Sequence, residues 1–479
     1  MTRTLRQSCR MIASTSALAA ILATAAASPA ALAAQPASDA PAPAAAAPAA
    51  AAPAASTAPT VATGTLADGA AWRTEVPAAW NGKLVLFAHG FRAGPANPAW
   101  DSGFAPTASA LVARGYAVAS SSYATTGWAL GTAAQDQLGT LAAFHDRFGT
   151  ASRVIAVGRS MGGLVTSMMA EIPDSGIDGA VSTCGLVGGG VSLNNYQLDA
   201  AYAAAELLLP GQNVRLTGFT TQAEATETIA ALKAALQQAT TSAEGRGRLA
   251  LVAALLNTPT ELDGVDADNP EALAAAQAKL VLDTLPTVIE RRHTIVNAAG
   301  GDSGWTAGVD YSKVLQSSAQ RQLVEYMYAK GGLSLNGDLS TLTANAHIEP
   351  SNQGLQWMLK TSTPIGELQV PLLATHTTVD LLAPVEYQEE YAETVHQAGK
   401  NSLFRQAFVN RAGHCNFTVA ENIAAIDAMD QRLQTGNWGS VATAANLQRA
   451  ATSLKLDGAN FVEFRPDEFI NDRTWTPAH

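Results

Sequence analysis

The sequence predicts an α/β protein: a mostly parallel sheet flanked by helices and interrupted by a large helical insertion. Three observations carry this. Short apolar runs alternate with helix-like segments from Lys83 to Thr183, a rhythm that implies right-handed crossovers and parallel strands. Near Gly185 the rhythm stops, and a long stretch rich in Ala, Leu, Gln and Glu follows with few β-branched runs. Strand-like runs then return at Val370 and at Leu403. Tandem domains would leave these last two strands without a sheet, so the helical stretch reads as inserted between sheet-forming halves.

Taken in order, the chain begins with Arg3, Arg6 and Arg10, an apolar run from Met11 to about Ala27, and the small residues Ala31-Leu32-Ala33. That is the pattern of a secretory signal peptide over residues 1–34. The apolar run is short and is followed by Pro and Gln rather than a basic stop, which disfavours a membrane anchor after cleavage. Cys9 lies in the basic region, so no lipid-anchor motif is present at the cleavage site. Residues 35–63 are almost wholly Ala, Pro, Ser and Thr and read as a disordered linker. The first half of the sheet domain is placed at 64–185, the helical cap at 186–362 and the second half at 363–479. The formal net charge is −11, and loss of the three leader arginines makes the remainder more acidic. This argues against nucleic acid or an anionic bilayer as partner. Oligomeric state has no signature in the sequence.

Within the first half, Ala71 to Pro77 alternates weakly, as an edge strand does. Lys83 to Ala88, Tyr116 to Ser120, Val154 to Val157 and Ala180 to Thr183 read as buried strands. Pro106 to Arg114, Thr132 to Phe148 and Leu164 to Ala170 read as helices between them. In the insertion, helices are expected over Leu198–Leu209, Ala223–Ala239, Gly247–Asn257, Pro270–Ile289 and Tyr311–Ala329.

The chemistry concentrates at Val154-Ile155-Ala156-Val157-Gly158-Arg159-Ser160-Met161-Gly162-Gly163. A strand, a Gly-x-Ser-x-Gly turn and a helix in that order form a nucleophile elbow. The turn holds Ser160 in a strained conformation beside the positive end of the following helix. The bland alternative is a turn with Ser160 as an N-cap. A serine nucleophile needs a base and a group that orients the base. Of eight histidines, His414 has the fitting context, a loop Arg411-Ala-Gly-His-Cys-Asn-Phe after the Leu403–Val409 strand; His376, ending the preceding strand, is the fallback. Ligands bind at that edge of a parallel sheet. Asp380, after the Val370–His376 strand and before Pro384, fits the orienting acid. Glu386, Glu389 and Glu390 lie nearby on an apparent helix and read as solvated. Two amide donors for an oxyanion are expected from Met161 and from Phe91 in His89-Gly90-Phe91.

The stretches Trp80 to Gly90 and Gly158 to Gly163, the Asp380 context and Gly413-His414-Cys415 resemble α/β-hydrolase serine esterases and lipases, more narrowly secreted bacterial enzymes with a large helical cap. The resemblance covers the sheet-forming parts, about half of the chain. It implies an α/β-hydrolase fold and a Ser160-Asp380-His414 triad, and not the substrate. From the roles of these residues, cleavage of a small-molecule or polymeric ester through an acyl-enzyme is expected, without metal or organic cofactor. Tannase-type feruloyl esterases also place Cys after the catalytic His, but their partner Cys precedes the Ser; Arg159 stands there in this chain. Here Cys415 follows the expected base, and Cys184 follows a strand ending at the same edge. A Cys184–Cys415 disulfide is therefore expected, with two separate buried thiols as the alternative. Two rival functions remain open at this stage: a peptidase or amidase with the same triad, for which Glu224, Glu227 and Glu261 are candidate amine-binding carboxylates, and a non-enzymatic binding module on the same scaffold.

Overall fold

The computed structural model describes residues 58–473. The expected signal peptide, the linker up to residue 57 and the last six residues lie outside them.

β1 (Thr60–Thr65) pairs antiparallel with β2 (Ala71–Val76). Residues 60–63 were expected to close the linker; their β-branched Thr60, Val61 and Thr63 instead extend the sheet, with Thr60 opposite Val76. Next come β3 (Lys83–Ala88), α1 (Ala105–Ala113), β4 (Ala117–Ser121), α2 (Ala133–Phe148), β5 (Arg153–Arg159), α3 (Met161–Glu171) and β6 (Gly179–Thr183). Between β6 and the next strand lie α4 (Gly189–Leu208), α5 (Gln222–Ala239), α6 (Ala243–Leu255), α7 (Pro270–Ala299), α8 (Tyr311–Ser317), α9 (Arg321–Lys330), α10 (Leu335–Asn345) and α11 (Asn352–Thr361). The chain then returns as β7 (Leu372–Val379), α12 (Tyr387–Gln397), β8 (Phe404–Ala412), α13 (Val419–Thr435), α14 (Ala444–Ser453) and the short β9 (Phe461–Val462).

The sheet order is β1-β2-β4-β3-β5-β6-β7-β8-β9. Strands β3 to β8 run parallel, while β1, β2 and β9 make antiparallel pairs at the flanks. Strands β3 to β7 are buried on both faces. In β3, Leu84, Leu86 and Ala88 enter one core, which continues into the insertion, while Val85 and Phe87 enter the other, beneath α1, α13 and α14. All parallel strands therefore end at one rim, and the insertion leaves from that rim after β6.

Three of the five helices expected in the insertion depart from the sequence reading, and α10 and α11 are additional to it. α4 starts at Gly189 rather than Leu198, because Ser192, Asn194 and Asn195 break the apolar pattern yet are buried. Asn194 donates to Ser303 Oγ at 2.7 Å, and Asn195 Oδ1 accepts from the Trp305 amide at 3.2 Å. α7 runs through Pro286 and beyond Ile289 to Ala299, past a Glu-Arg-Arg-His stretch that masks its apolar stripe. The stretch 311–329 is two helices, broken at Ser318, whose backbone is extended.

Candidate active site

The elbow between β5 and α3 is built by close backbone approach. A Cβ on Gly158 would lie 2.0 Å from the Gly162 carbonyl oxygen, and one on Gly162 would lie 2.0 Å from that of Ala88. Neither position tolerates a side chain, so the spacing of the two glycines is a packing requirement. Between them Ser160 adopts φ 58° and ψ −126°, a strained conformation for a non-glycine residue. Its amide donates to the Thr183 carbonyl at the end of β6. Its side chain accepts no N-terminal amide of α3, so the N-cap alternative does not hold.

The structure brings the three expected side chains together. His414 Nε2 lies 2.7 Å from Ser160 Oγ, and its Nδ1 lies 2.8 Å from Asp380 Oδ2. Asp380 follows β7 directly and is fully buried. Its other oxygen accepts from the amides of Leu382 and Ala383 at 3.0 and 3.1 Å. Burial pushes its pKa up, but the His414 charge and hydrogen bond, with His376 and the Ala383 amide, outweigh burial and hold it below the ordinary carboxylate value. An ionised Asp380 favours the proton on His414 Nδ1 and leaves Nε2 free to accept from the serine. The fallback His376 sits fully buried in β7, its Nδ1 bonded to the Thr377 carbonyl. Burial lowers its pKa.

The loop bearing His414 is held from both sides. The Gly413 amide donates to Val379 at 2.8 Å, and Thr377 Oγ1 donates to the Gly413 carbonyl at 3.1 Å. Cys415 is joined by a disulfide to Cys184, across 231 residues of chain. The bridge ties the histidine loop to the point where the insertion leaves the sheet.

His89-Gly90-Phe91 packs against the elbow: a Cβ on Gly90 would lie 3.1 Å from Ser160 Cβ and 3.5 Å from its Oγ. Met161 opens α3, so its amide has no intrahelical acceptor. Among the described residues no hydrogen bond uses the amide of Met161 or of Phe91. His89 has carbonyl oxygens at both nitrogens, Gly90 at 2.6 Å and Ser122 at 3.0 Å, and stacks on Tyr123. Burial and the Arg92 charge lower its pKa to about 4, so the ring is neutral at pH 7 and donates to only one of the two.

Ser160 and His414 open into a narrow cavity of about 40 Å³ between the rim and the insertion. Its walls include Phe91, Trp128, Leu193, Gln197, Val288 and Arg291. Of these, only Phe91 is expected at the site from the sequence. Of the aromatic residues of the insertion, Trp305 and Tyr328 are packed in the core, and Tyr326 is exposed. Glu224 forms the capping box of α5 and pairs with Arg215, away from the cavity. Glu386 corrects an expectation: it is buried, not solvated. Burial, together with the Asp467 and Asp380 charges, pushes its pKa up to about 8. Glu390 is likewise driven up by burial.

An eight-strand order of 1-2-4-3-5-6-7-8, antiparallel only near its start, with a serine elbow after the fifth strand, defines the α/β-hydrolase fold, and this chain has it. No family model matches the sequence. The chain is 29% identical over 460 residues to o-phthalyl amidase of Xanthobacter agilis, covering 87% of this chain and 97% of the amidase. Among solved structures, the Pyrococcus furiosus esterase Pf2001 matches at a TM-score of 0.37 and 10% identity, over 80% of this chain and 92% of the esterase. Feruloyl esterase B from Aspergillus oryzae matches at 0.35 and 14% identity, over 79% and 80% respectively. At such scores the fold assignment stands on the strand order.

Proposed function

We propose that this chain is an exported serine hydrolase that cleaves carboxylic acyl bonds, esters foremost, through an acyl-enzyme on Ser160. The observation that carries the reading is the continuous relay Ser160 Oγ to His414 Nε2 to Asp380 Oδ2, with contacts of 2.7 and 2.8 Å at one sheet rim. His414 takes the serine proton as Oγ attacks the carbonyl carbon. The developing oxyanion is met by the amides of Met161 and Phe91, an arrangement that contributes about 3–4 kcal/mol per donor in other enzymes. His414 then returns the proton to the departing alcohol or amine, and water repeats the sequence on the acyl-enzyme. Asp380 orients the ring and stabilises its cation. These steps call for neither metal nor organic cofactor. A cavity of about 40 Å³ is far below the roughly 300 Å³ or more of a small-molecule site, so the walls facing the rim must part to admit substrate. Export is supported by the leader-like residues 1–34 and by the Cys184–Cys415 disulfide.

Amide cleavage by the same site is a second reading, supported by the similarity to o-phthalyl amidase over nearly that protein's whole length. Capture of a free amino terminus is disfavoured, since no carboxylate lines the cavity among the described residues. The test is labelling of purified mature protein by a fluorophosphonate probe, with a panel of aryl esters, aryl amides, triglycerides and aminoacyl amides. Labelling lost in Ser160→Ala supports an enzyme. Equal labelling of that variant, or none of either protein, overturns it in favour of a binding module.

A further inference from the structure

One cation stands in the wall of the Ser160 cavity, and it has no counter-charge. Val288, Arg291 and Ile295 recur at i, i+3 and i+7 on α7 and therefore share a face, and all three line the cavity. Apart from Ser160 and His414, the rest of the wall is aliphatic and aromatic with one polar side chain, Gln197. Arg291 is half-buried, and its guanidinium lies 5.5 Å from the Phe91 ring centroid. Among the described residues it forms no ion pair, and no side-chain hydrogen bond from it is present.

The adjacent Arg292 is the control that the molecule supplies. It is buried, and its Nε and Nη2 bond both oxygens of Asp302 at 2.6 and 2.5 Å, while Nη1 donates to the Asn194 carbonyl. Arg292 is satisfied as a structural arginine should be. Arg291, one residue earlier, lines a pocket that has no acceptor of matching charge. The Arg291 nitrogens are not among the buried atoms left without a partner, so solvent satisfies them in the free protein and a bound anion would take the place of that water. The planar fork suits a carboxylate, which it binds by two parallel hydrogen bonds.

Resting on the hydrolase reading above, we propose that Arg291 is a specificity-determining residue that pairs with a carboxylate carried by the substrate. The favoured substrates are then half-esters or half-amides of dicarboxylic acids, or esters of carboxylated alcohols, with an apolar or aromatic skeleton. Phe91 links this contact to the chemistry. Its ring carries the guanidinium, and its amide is the proposed oxyanion donor. An anion held by Arg291 is thus placed beside the reacting carbonyl.

The experiment uses matched esters: phenyl benzoate, monophenyl phthalate with the carboxylate on the acyl half, and 3-carboxyphenyl benzoate with it on the leaving half. The wild type is expected to favour one carboxylated ester over the neutral one by about 10–100-fold in kcat/KM, the size of a charge-assisted hydrogen-bonded pair. R291Q should bring that ratio close to unity, mainly through KM. R291K should keep part of it, and R291E should invert it. A wild type indifferent to the carboxylate, or a ratio unchanged in R291Q, overturns the proposal while leaving Ser160 labelling intact. Calorimetry of phthalate with S160A and with S160A/R291Q gives a readout independent of turnover. Binding by the first and not the second supports the anion site even if no ester is cleaved. Equal binding, or none to S160A, counts against it.

Discussion

The sheet rim and the helical insertion contribute opposite kinds of residue to one cavity. At the rim each group is fixed by backbone. Ser160 is held in a strained turn by two glycines that admit no Cβ, Asp380 is held by two amides, and His414 sits in a loop tied by a disulfide. From the insertion come Leu193, Gln197, Val288, Arg291 and Ile295, all on the regular faces of α4 and α7. Nothing in helical backbone geometry distinguishes those positions from their buried neighbours. Under the proposed function, the rim would serve one reaction while helix faces change the substrate, as expected when function is a site grafted on a fold.

Substitutions at the rim should have the largest effects and leave folding intact. Ser160→Ala is expected to lower kcat by about 10⁶-fold, measured on an activated aryl ester, with an unchanged thermal midpoint. Asp380→Asn should cost about 10⁴-fold by favouring the wrong imidazole tautomer. If Asp380→Asn proved as active as wild type, another group would be orienting His414.

The next two predictions separate rim from insertion by stability rather than rate. Replacing both Cys184 and Cys415 by Ala opens a loop of 231 residues. The chain-entropy account allows a loss of up to about 5.5 kcal/mol, read from urea midpoints. Activity should fall as well, because the bridge adjoins His414. Arg292→Met leaves Asp302 buried without its partner and should destabilise the fold by about 3–5 kcal/mol. The neighbouring Arg291→Gln should move the midpoint little, since it breaks no ion pair. Equal destabilisation by the two would erase the contrast between a structural and a ligand-facing arginine.

How much of this was legible follows the same division. The rim was readable because its residues carry local signatures: a Gly-x-Ser-x-Gly turn between strand and helix, a histidine in a Gly-containing loop after a strand, an aspartate at a strand exit. Each reflects a backbone demand that few residue types meet. The helical walls were not readable, because an apolar stripe has the same period whether it faces a core or a cavity. Arg291 fell beyond the expected end of its helix at Ile289, and buried polar residues hid the first turns of α4. β1 was missed because its Thr-rich run continues a Thr- and Ala-containing stretch, and only pairing with β2 distinguishes it.

A smaller contrast lies within the rim itself. Asp380 and Glu386 leave the same strand six residues apart, both buried, yet their pKa values move in opposite directions. Asp380 has His414 and amide donors to offset burial. Glu386 has no cation, and Asp380 itself adds repulsion, so Glu386 keeps its proton up to about pH 8. In the unfolded chain the same carboxyl ionises near 4.5. Between those values the unfolded state binds fewer protons than the native one, so this group makes stability fall as pH rises from 4.5 to 8 and adds no further slope above. Glu386→Gln should remove that slope. The variant should gain on the wild type progressively with pH, by an upper bound of about 5 kcal/mol at pH 8, and little at pH 4. Urea midpoints at the two pH values measure it. A constant difference would mean that Glu386 ionises normally when folded. Because the Asp380 charge is one cause of the shift, Asp380→Asn should lower the pKa of Glu386 and flatten the same slope in part. That outcome would show the charge of the orienting acid acting beyond the histidine it serves.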